Sequence, residues 1–372
     1  MDHMNFENSR IKQLDGLRGL AVLFVVAFHY INNQISNGLV DQQSATTFQK
    51  ILLKATYFGW VGVDLFFVLS GFLIGSILLR NKKSINIFKT FYIRRFVRII
   101  PIYYLLLLVF FTCKQAIAAP NVFMFDNGFS LTYYFLFIQN FAMGFNNTFG
   151  FPALVPTWSL AVEEQFYLII PLIVYFFSQR NLKIFIAFCL IIAPICRHLS
   201  ANWYQQYTLL LCRIDAPAMG FLIAYLLQNE KIKIFVFNNL KAIKYLTFFL
   251  TLVSVVLYKY SNVDVFNHSI ISTIFGFTIL IIIHTESGFL FKLTTSKLLV
   301  FLGGLSYFVY LYHLLILHFF HFIFLNHSAP QMKTVADCLL TISALFTTII
   351  FAMASFRFLE RPLITWSHKF KY

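Results

Sequence analysis

The sequence predicts an all-α polytopic membrane protein with about ten transmembrane helices and both termini in the cytoplasm. Three observations carry this. Of 372 residues, 59% are hydrophobic and only 12% charged, with a mean hydropathy of +0.75. A soluble domain carries about twice that charged fraction. The apolar residues come in runs of about 20, the length that crosses a hydrocarbon core. Finally, Lys and Arg collect in alternate loops. Short segments of dyad alternation, as in a β-barrel, do not dominate.

The apolar runs fall at roughly 14–31, 57–79, 99–113, 158–177, 184–197, 209–228, 242–260, 269–284, 298–325 and 338–359. With the N-terminus inside, the inner segments hold 22 of the 29 Lys and Arg. They include Arg10, Lys12 and Arg18, then Arg80, Lys82, Lys83, Lys89, Arg94, Arg95 and Arg98 after the second run. The stretch 131–143 is short and aromatic; counted as a span it would put the later basic loops outside, so it is expected to be interfacial or re-entrant. The segment 114–157 is the longest outer one, and it is either a cover for an outer cavity or a plain connection. No small-residue cleavage pattern follows the first run, so it is expected to be a retained helix. We expect one domain over 1–372, with a core at about 14–360 and no soluble domain.

The net charge of +15 is better explained by inner loops than by nucleic acid. Five cysteines, Cys113, Cys189, Cys196, Cys212 and Cys338, form no CxxC and mostly lie in apolar runs, which favours packing over disulfides or zinc. The 48 Phe residues are a compositional bias.

Charges within a span are costly and usually face a cavity or a partner. In "LDGLRGLAVLFVVAFHY", Asp15, Arg18 and His29 share one helical face, with Arg18 and His29 about 16 Å apart along the axis. Near neutral pH an imidazole can accept a proton from a hydroxyl; the alternative is a packing His, with Arg18 snorkelling to the interface. In "GWVGVDLFFVLSGFLIG", Asp64 could pair with Arg18 or line a cavity, and Ser70-Gly71 permit close helix approach. In "FYIRRFVRIIPIYYL", Arg95 and Arg98 share a face and Arg94 points elsewhere. Paired guanidiniums suit phosphate recognition, or else serve topology and anionic lipid.

Glu163 and Glu164 open the fourth run in "VPTWSLAVEEQFYLIIP", and Arg213 and Asp215 open the sixth in "CRIDAPAMG". The Glu pair could hold a sugar hydroxyl, a cation or a proton, and Arg213 with Asp215 is another buried-ion candidate. The ninth run, "LGGLSYFVYLYHLLILHFFHFIF", carries Tyr307 and His313, with His318 and His321 three apart. No matching ligand pair is obvious elsewhere, so no metal is expected. In the closing "FRFLERPLITW", Pro362 is expected to stop the helix, with Glu360 at the inner boundary.

In order, "LDGLRGLAVLFVVAFH", "GVDLFFVLSGFLI", "FYIRRFVRIIPIYYL", "PTWSLAVEEQFYLIIP", "LSYFVYLYHLLIL" and the final "FLERP" together resemble the acyltransferase-3 family of integral membrane acyltransferases. The resemblance implies transfer of an acyl group, often acetyl, from cytoplasmic acyl-CoA to a sugar hydroxyl. Acceptors in the family include lipopolysaccharide O-antigen, peptidoglycan, exopolysaccharide and lipid-linked or small glycosides. It implies a bacterial inner-membrane location, with lipid, acyl-CoA and a glycan or glycolipid as partners. His29 then corresponds to the proposed base and Arg18 to its partner. Arg95 and Arg98 match the pair expected to meet CoA phosphates, and Glu163 holds the first Glu place of its motif. Asp64, Tyr307 and His313 fall in family motifs without a firm role. The fused extracytoplasmic esterase-like domain of some members is not expected in this chain. A transporter using Asp64, Glu163, Arg213 and Asp215 as an ion pathway is the alternative, although the inverted repeats common in transporters are not found.

Overall fold

The computed structural model describes residues 11–38, 45–117, 122–260, 264–327 and 329–372, and the described residues form helices and connections with no strand. Arg10 and a short part of the 114–157 segment lie outside them. Among the described residues, nine helices are long and apolar enough to cross a membrane. They are α1 (Lys12–Gly38), α2 (Thr47–Arg80), α3 (Ile87–Ala116), α4 (Thr157–Phe176), α5 (Gln179–Leu199), α7 (Leu240–Tyr258), α8 (Val265–Ile283), α9 (Lys297–Leu325) and α10 (Val335–Ser367).

The expected sixth span is the exception. It divides into a turn of helix at Leu210–Arg213 and a short α6, Asp215–Leu226. Pro217 has no N–H to bond the Arg213 carbonyl, so the helix breaks at Ile214. Twelve residues of helix reach about 18 Å, short of the roughly 30 Å core.

Several long helices outrun their apolar windows. The third run was expected to begin at 99, yet α3 begins at Ile87. Its first turns carry Arg94, Arg95 and Arg98 into the protein, where a hydropathy window stops short. At the C-terminus Pro362 does not end α10. A π turn at Phe356–Glu360 takes up the lost hydrogen bond, and Arg361–Ser367 continues with the proline in its first turn. The 131–143 stretch forms two short helices, Leu131–Phe135 and Gln139–Asn146, neither long enough to span.

Helix α1 is the centre of the bundle, packed between α2 and α9, and α6 lies against α2. Glycine makes both contacts close. A Cβ on Gly19 would overlap the Leu299 carbonyl, and one on Gly303 would overlap that of Asp15. Likewise Gly71 faces the Pro217 carbonyl, and Gly220 that of Val68. Small residues let membrane helices approach to backbone contact, the main attraction available where lipid is as apolar as leucine. These contacts hold the charged residues of α1, α2 and α9 around one interior.

Candidate active site

Two cavities lie side by side inside this bundle, with Val63 and Tyr310 in the wall of both. The first, of about 110 Å³, is lined by Arg18, Arg95, Arg98, Glu163, Ser70 and Tyr167, with Tyr307 and Ser159 beside them. Three guanidiniums therefore face one space from α1 and α3. Arg95 and Arg98 do share a face, as their spacing predicts. Arg94 turns away, donating to the Phe370 carbonyl at 2.6 Å and lying 5.1 Å from the Tyr372 ring centre. Arg95 stacks over Tyr167 at 5.5 Å. Among the described residues no carboxylate lies within ion-pair distance of Arg95 or Arg98. Guanidiniums with no direct ion-pair partner in a low-dielectric pocket are suited to holding an anion.

Glu163 is the carboxylate of this cavity. It accepts from the Tyr167 hydroxyl at 3.2 Å, and Tyr167 in turn pairs with Ser70. Ser70 thus does more than thin the helix surface. Glu164 is not among the lining residues; its Oε1 is buried without a hydrogen-bond partner among the described residues. Tyr307 lines the cavity and donates to the Ile99 carbonyl at 2.8 Å, tying α9 to α3. Glu360 accepts from Ser355 at 3.0 Å and lies in the electrostatic reach of Arg98 and Arg18. Asp15 is buried on α1 and is a charge neighbour of Arg18.

The second cavity is larger, about 560 Å³, and contains His29. Its walls are aromatic and amide-rich: Trp60, Trp158, Trp203 and Tyr207 line it together with Asn32, Asn33, Gln34 and Asn37. Flat apolar faces beside directional amides are suited to sugar rings, whose C–H faces stack and whose hydroxyls hydrogen-bond. Phe123, Phe149, Pro152 and Pro156, from the 114–157 segment, close one side. Of the two readings of that segment, the structure favours the cover.

His29 sits in a π turn, Phe28–Asn32, inside α1. Its Nδ1 lies 2.9 Å from Nε2 of His313. The fully buried His313 turns its own Nδ1 to two carbonyls, Tyr310 at 2.8 Å and Val309 at 3.1 Å. Carbonyl oxygens only accept, so His313 carries its proton on Nδ1 and presents a lone pair at Nε2. His29 must then donate from Nδ1, which leaves its Nε2 free as a proton acceptor. This assignment is inferred from the hydrogen-bond network. His313 is therefore an orienting group for His29, a role its position in a motif did not reveal.

The remaining charges are elsewhere. Asp64 does not pair with Arg18; its Oδ1 accepts from Arg213 at 2.7 Å, with His268 3.6 Å away. Arg213 is caged by Tyr207, Trp158 and Phe67 at 5.1–5.9 Å. Asp215 pairs not with its neighbour Arg213 but with Arg197 at 2.8 Å, and Ser269 bonds the same oxygen. Arg197 also donates to the Val265 carbonyl at 2.7 Å and to that of Cys212, so it joins α5 and α8 to the break before α6. Both are buried ion pairs; in the Asp64–Arg213 pair, Asp64 Oδ2 and Arg213 Nε have no hydrogen-bond partner among the described residues.

With this arrangement in view, the acyltransferase domain family matches residues 11–356, and the chain belongs to that family. The peptidoglycan O-acetyltransferase OatA of Listeria monocytogenes is 27% identical over 96% of this chain and 56% of the relative. The O-acetyltransferase OatA of Staphylococcus aureus is 28% identical over 94% of this chain and 56% of the relative. The chain thus spans about half the length of the curated relatives it matches. No solved structure matches.

Proposed function

We propose that the protein transfers an acyl group, most simply acetyl, from cytoplasmic acyl-CoA to a hydroxyl of a cell-surface or lipid-linked glycan, in a bacterial inner membrane. The observation that carries this is an arginine-lined cavity that shares a wall, Val63 and Tyr310, with an aromatic, amide-rich one that contains a His with a ring nitrogen left to accept. With the basic N-terminal end of α1 on the cytoplasmic side, the arginine cavity lies toward the donor and the His29 cavity toward the acceptor. The family and the names of its relatives support acetyl transfer; peptidoglycan, on which the Listeria relative is named as acting, is one candidate acceptor.

The geometry supports the following course of reaction. Arg95 and Arg98 bind the CoA phosphates, and Arg18 holds the arm on the way to His29. The acceptor lies against the tryptophans with one hydroxyl at His29 Nε2. As the hydroxyl oxygen attacks the thioester carbonyl, Nε2 takes its proton, and His313 accepts the hydrogen bond from Nδ1 throughout. The tetrahedral intermediate expels the CoA sulfur, which recovers that proton from His29 to leave as the thiol. Glu163, held by Tyr167, keeps part of the arginine charge balanced before the donor arrives.

Purified protein incubated with acetyl-labelled acetyl-CoA and glycan fragments tests this. Label should move to glycan in an alkali-labile ester. Flux of a solute across vesicles with no transfer of label would instead favour the transporter reading.

A further inference from the structure

Beyond both cavities, the end of α9 and the start of α10 bring together His321, His327 and Asp337. Each offers one ligand atom, and these atoms lie within 4.8 Å of one another. We propose that they form a site for a divalent transition-metal ion of the zinc class, which pins the loop after α9 to the rim of the His29 cavity.

The chain builds this cluster with specific local devices. Helix α9 ends at Asn326, in the left-handed region at φ +52°, a conformation Asn tolerates. The turn sends the chain back, so the His327 N–H bonds the His321 carbonyl at 3.1 Å. Asp337 caps α10: its Oδ2 accepts from the N–H groups of Lys333 and Thr334 at 2.9 and 2.8 Å. That leaves Oδ1 turned inward, 3.4 Å from His327 Nδ1.

Two atoms here are buried without a hydrogen-bond partner among the described residues: Oδ1 of Asp337, which His327 approaches only to 3.4 Å, and Nδ1 of His321. Both residues are fully buried. Unpaired buried polar atoms are costly, and a bound cation would satisfy both. The second layer is also suited to this. The Thr341 hydroxyl lies 2.8 Å from Gln34 Oε1 and 2.9 Å from the Asp337 carbonyl, both acceptors. Its hydrogen goes to one of them, so toward His321 Nε2, 3.2 Å away, it acts as acceptor. His321 therefore carries its proton on Nε2 and keeps a lone pair at Nδ1, the buried atom without a partner. Fixing the tautomer from the far side is how protein metal sites prepare an imidazole ligand. Two imidazoles and a carboxylate are a donor set for zinc-class ions, with a position left for water. His327, about a quarter exposed, is the entry side.

From sequence, His318 and His321 have no matching ligand pair and no metal is expected. The fold supplies the partners differently, through the turn at Asn326 and the cap of the next helix. The loop also meets the larger cavity. Pro330 lines it, the Pro330 carbonyl accepts from Asn37 at 3.3 Å, and the Met332 N–H bonds Gln34 at 3.2 Å. An ion bound here would order the rim against the segment that follows His29.

The test reads metal binding and does not depend on acyl transfer. Full-length protein, purified with a histidine-free tag and stripped with chelator, is titrated with ZnCl2 by calorimetry, and with Co2+ by visible absorption. We expect close to one bound equivalent and a raised thermal midpoint, since an ion that binds only the folded state stabilises it. His327→Ala should weaken binding by about 100-fold or more, beyond the range of outer-layer changes, and Thr341→Val by about 10- to 100-fold. His318→Ala should leave it unchanged. Variants are compared only where size-exclusion profiles match the parent, and Thr341→Val, which keeps all three ligands, serves if His327→Ala does not fold. No saturable Zn2+ binding to the parent, or equal affinity in the His327 and Thr341 variants, overturns the proposal and leaves a simple His–Asp hydrogen-bonded pair.

Discussion

Replacing His313 separates a base that is oriented from one that is merely present. His313 is fully buried, and it accepts from His29 Nδ1 at 2.9 Å while its own Nδ1 is held by two carbonyls. In His313→Phe the ring volume is largely kept, but the His29 N–H loses its acceptor. A buried donor left unpaired costs about 1–3 kcal/mol. Assigned to the reactive tautomer, that is a fall in kcat of about 5- to 150-fold. The KM for acyl-CoA should stay within about twofold, because the arginines occupy the other cavity and would bind the donor as before. In His313→Gln an amide oxygen can again accept from His29, so most of the lost rate should return. Steady-state transfer of labelled acetyl, with each variant's folding checked by size exclusion, reads all three quantities. Wild-type kcat in His313→Phe would refute the reasoning. So would equal loss in the Phe and Gln variants, which would make His313 a packing residue only.

Other consequences follow from the same geometry. Arg95→Ala combined with Arg98→Ala should raise the KM for acyl-CoA by about 10-fold or more, on the basis of charge-assisted bonds worth roughly 1.5–3 kcal/mol each, with kcat less affected; an unchanged KM would assign the pair to lipid or topology. Arg213→Leu strands the buried Asp64 carboxylate and should cost about 3–5 kcal/mol, read as a lower thermal midpoint in detergent, whereas Arg213→Leu with Asp64→Leu should recover much of it. Gly220→Leu should prevent α6 from seating on α2, because the side chain would occupy the space of the Val68 carbonyl, and the variant should aggregate on extraction.

Much of this fold was legible in the sequence because apolar run length is a direct physical requirement of lipid. Nine of the ten expected runs are long helices, and the short 131–143 pair does not span. The failures have local causes. A hydropathy window ends at a charge, so it placed the start of α3 at 99 and missed the turns that deliver Arg94, Arg95 and Arg98. It also joined residues on either side of the Pro217 break, and it took Pro362 as a stop where a π turn absorbs it. Within the site, spacing correctly put Arg95 and Arg98 together. Asp15, Arg18 and His29 were also placed on one wall, yet Arg18 and His29 belong to two different cavities. Pairing was not legible. Asp64 meets Arg213, which is 149 residues away, and Asp215 meets Arg197 rather than Arg213. The partners Arg197 and His268 stand in "APICRHLS" and "VFNHS", a polar residue at an apolar run in each case, which is the same kind of signal as Arg213 and His29. The His29–His313 contact spans 284 residues, and only the crossing of α1 with α9 reveals it.

The central claim is that the free nitrogen of His29 removes the acceptor's proton. The most direct measurement is the rate of label transfer from acetyl-CoA to glycan by His29→Ala, purified alongside the parent and matched for folded protein. A positioned general base contributes about 10²- to 10⁴-fold, so the variant should fall by at least that lower figure while still binding acetyl-CoA with parental affinity. Transfer at the parental rate by folded His29→Ala would contradict the account.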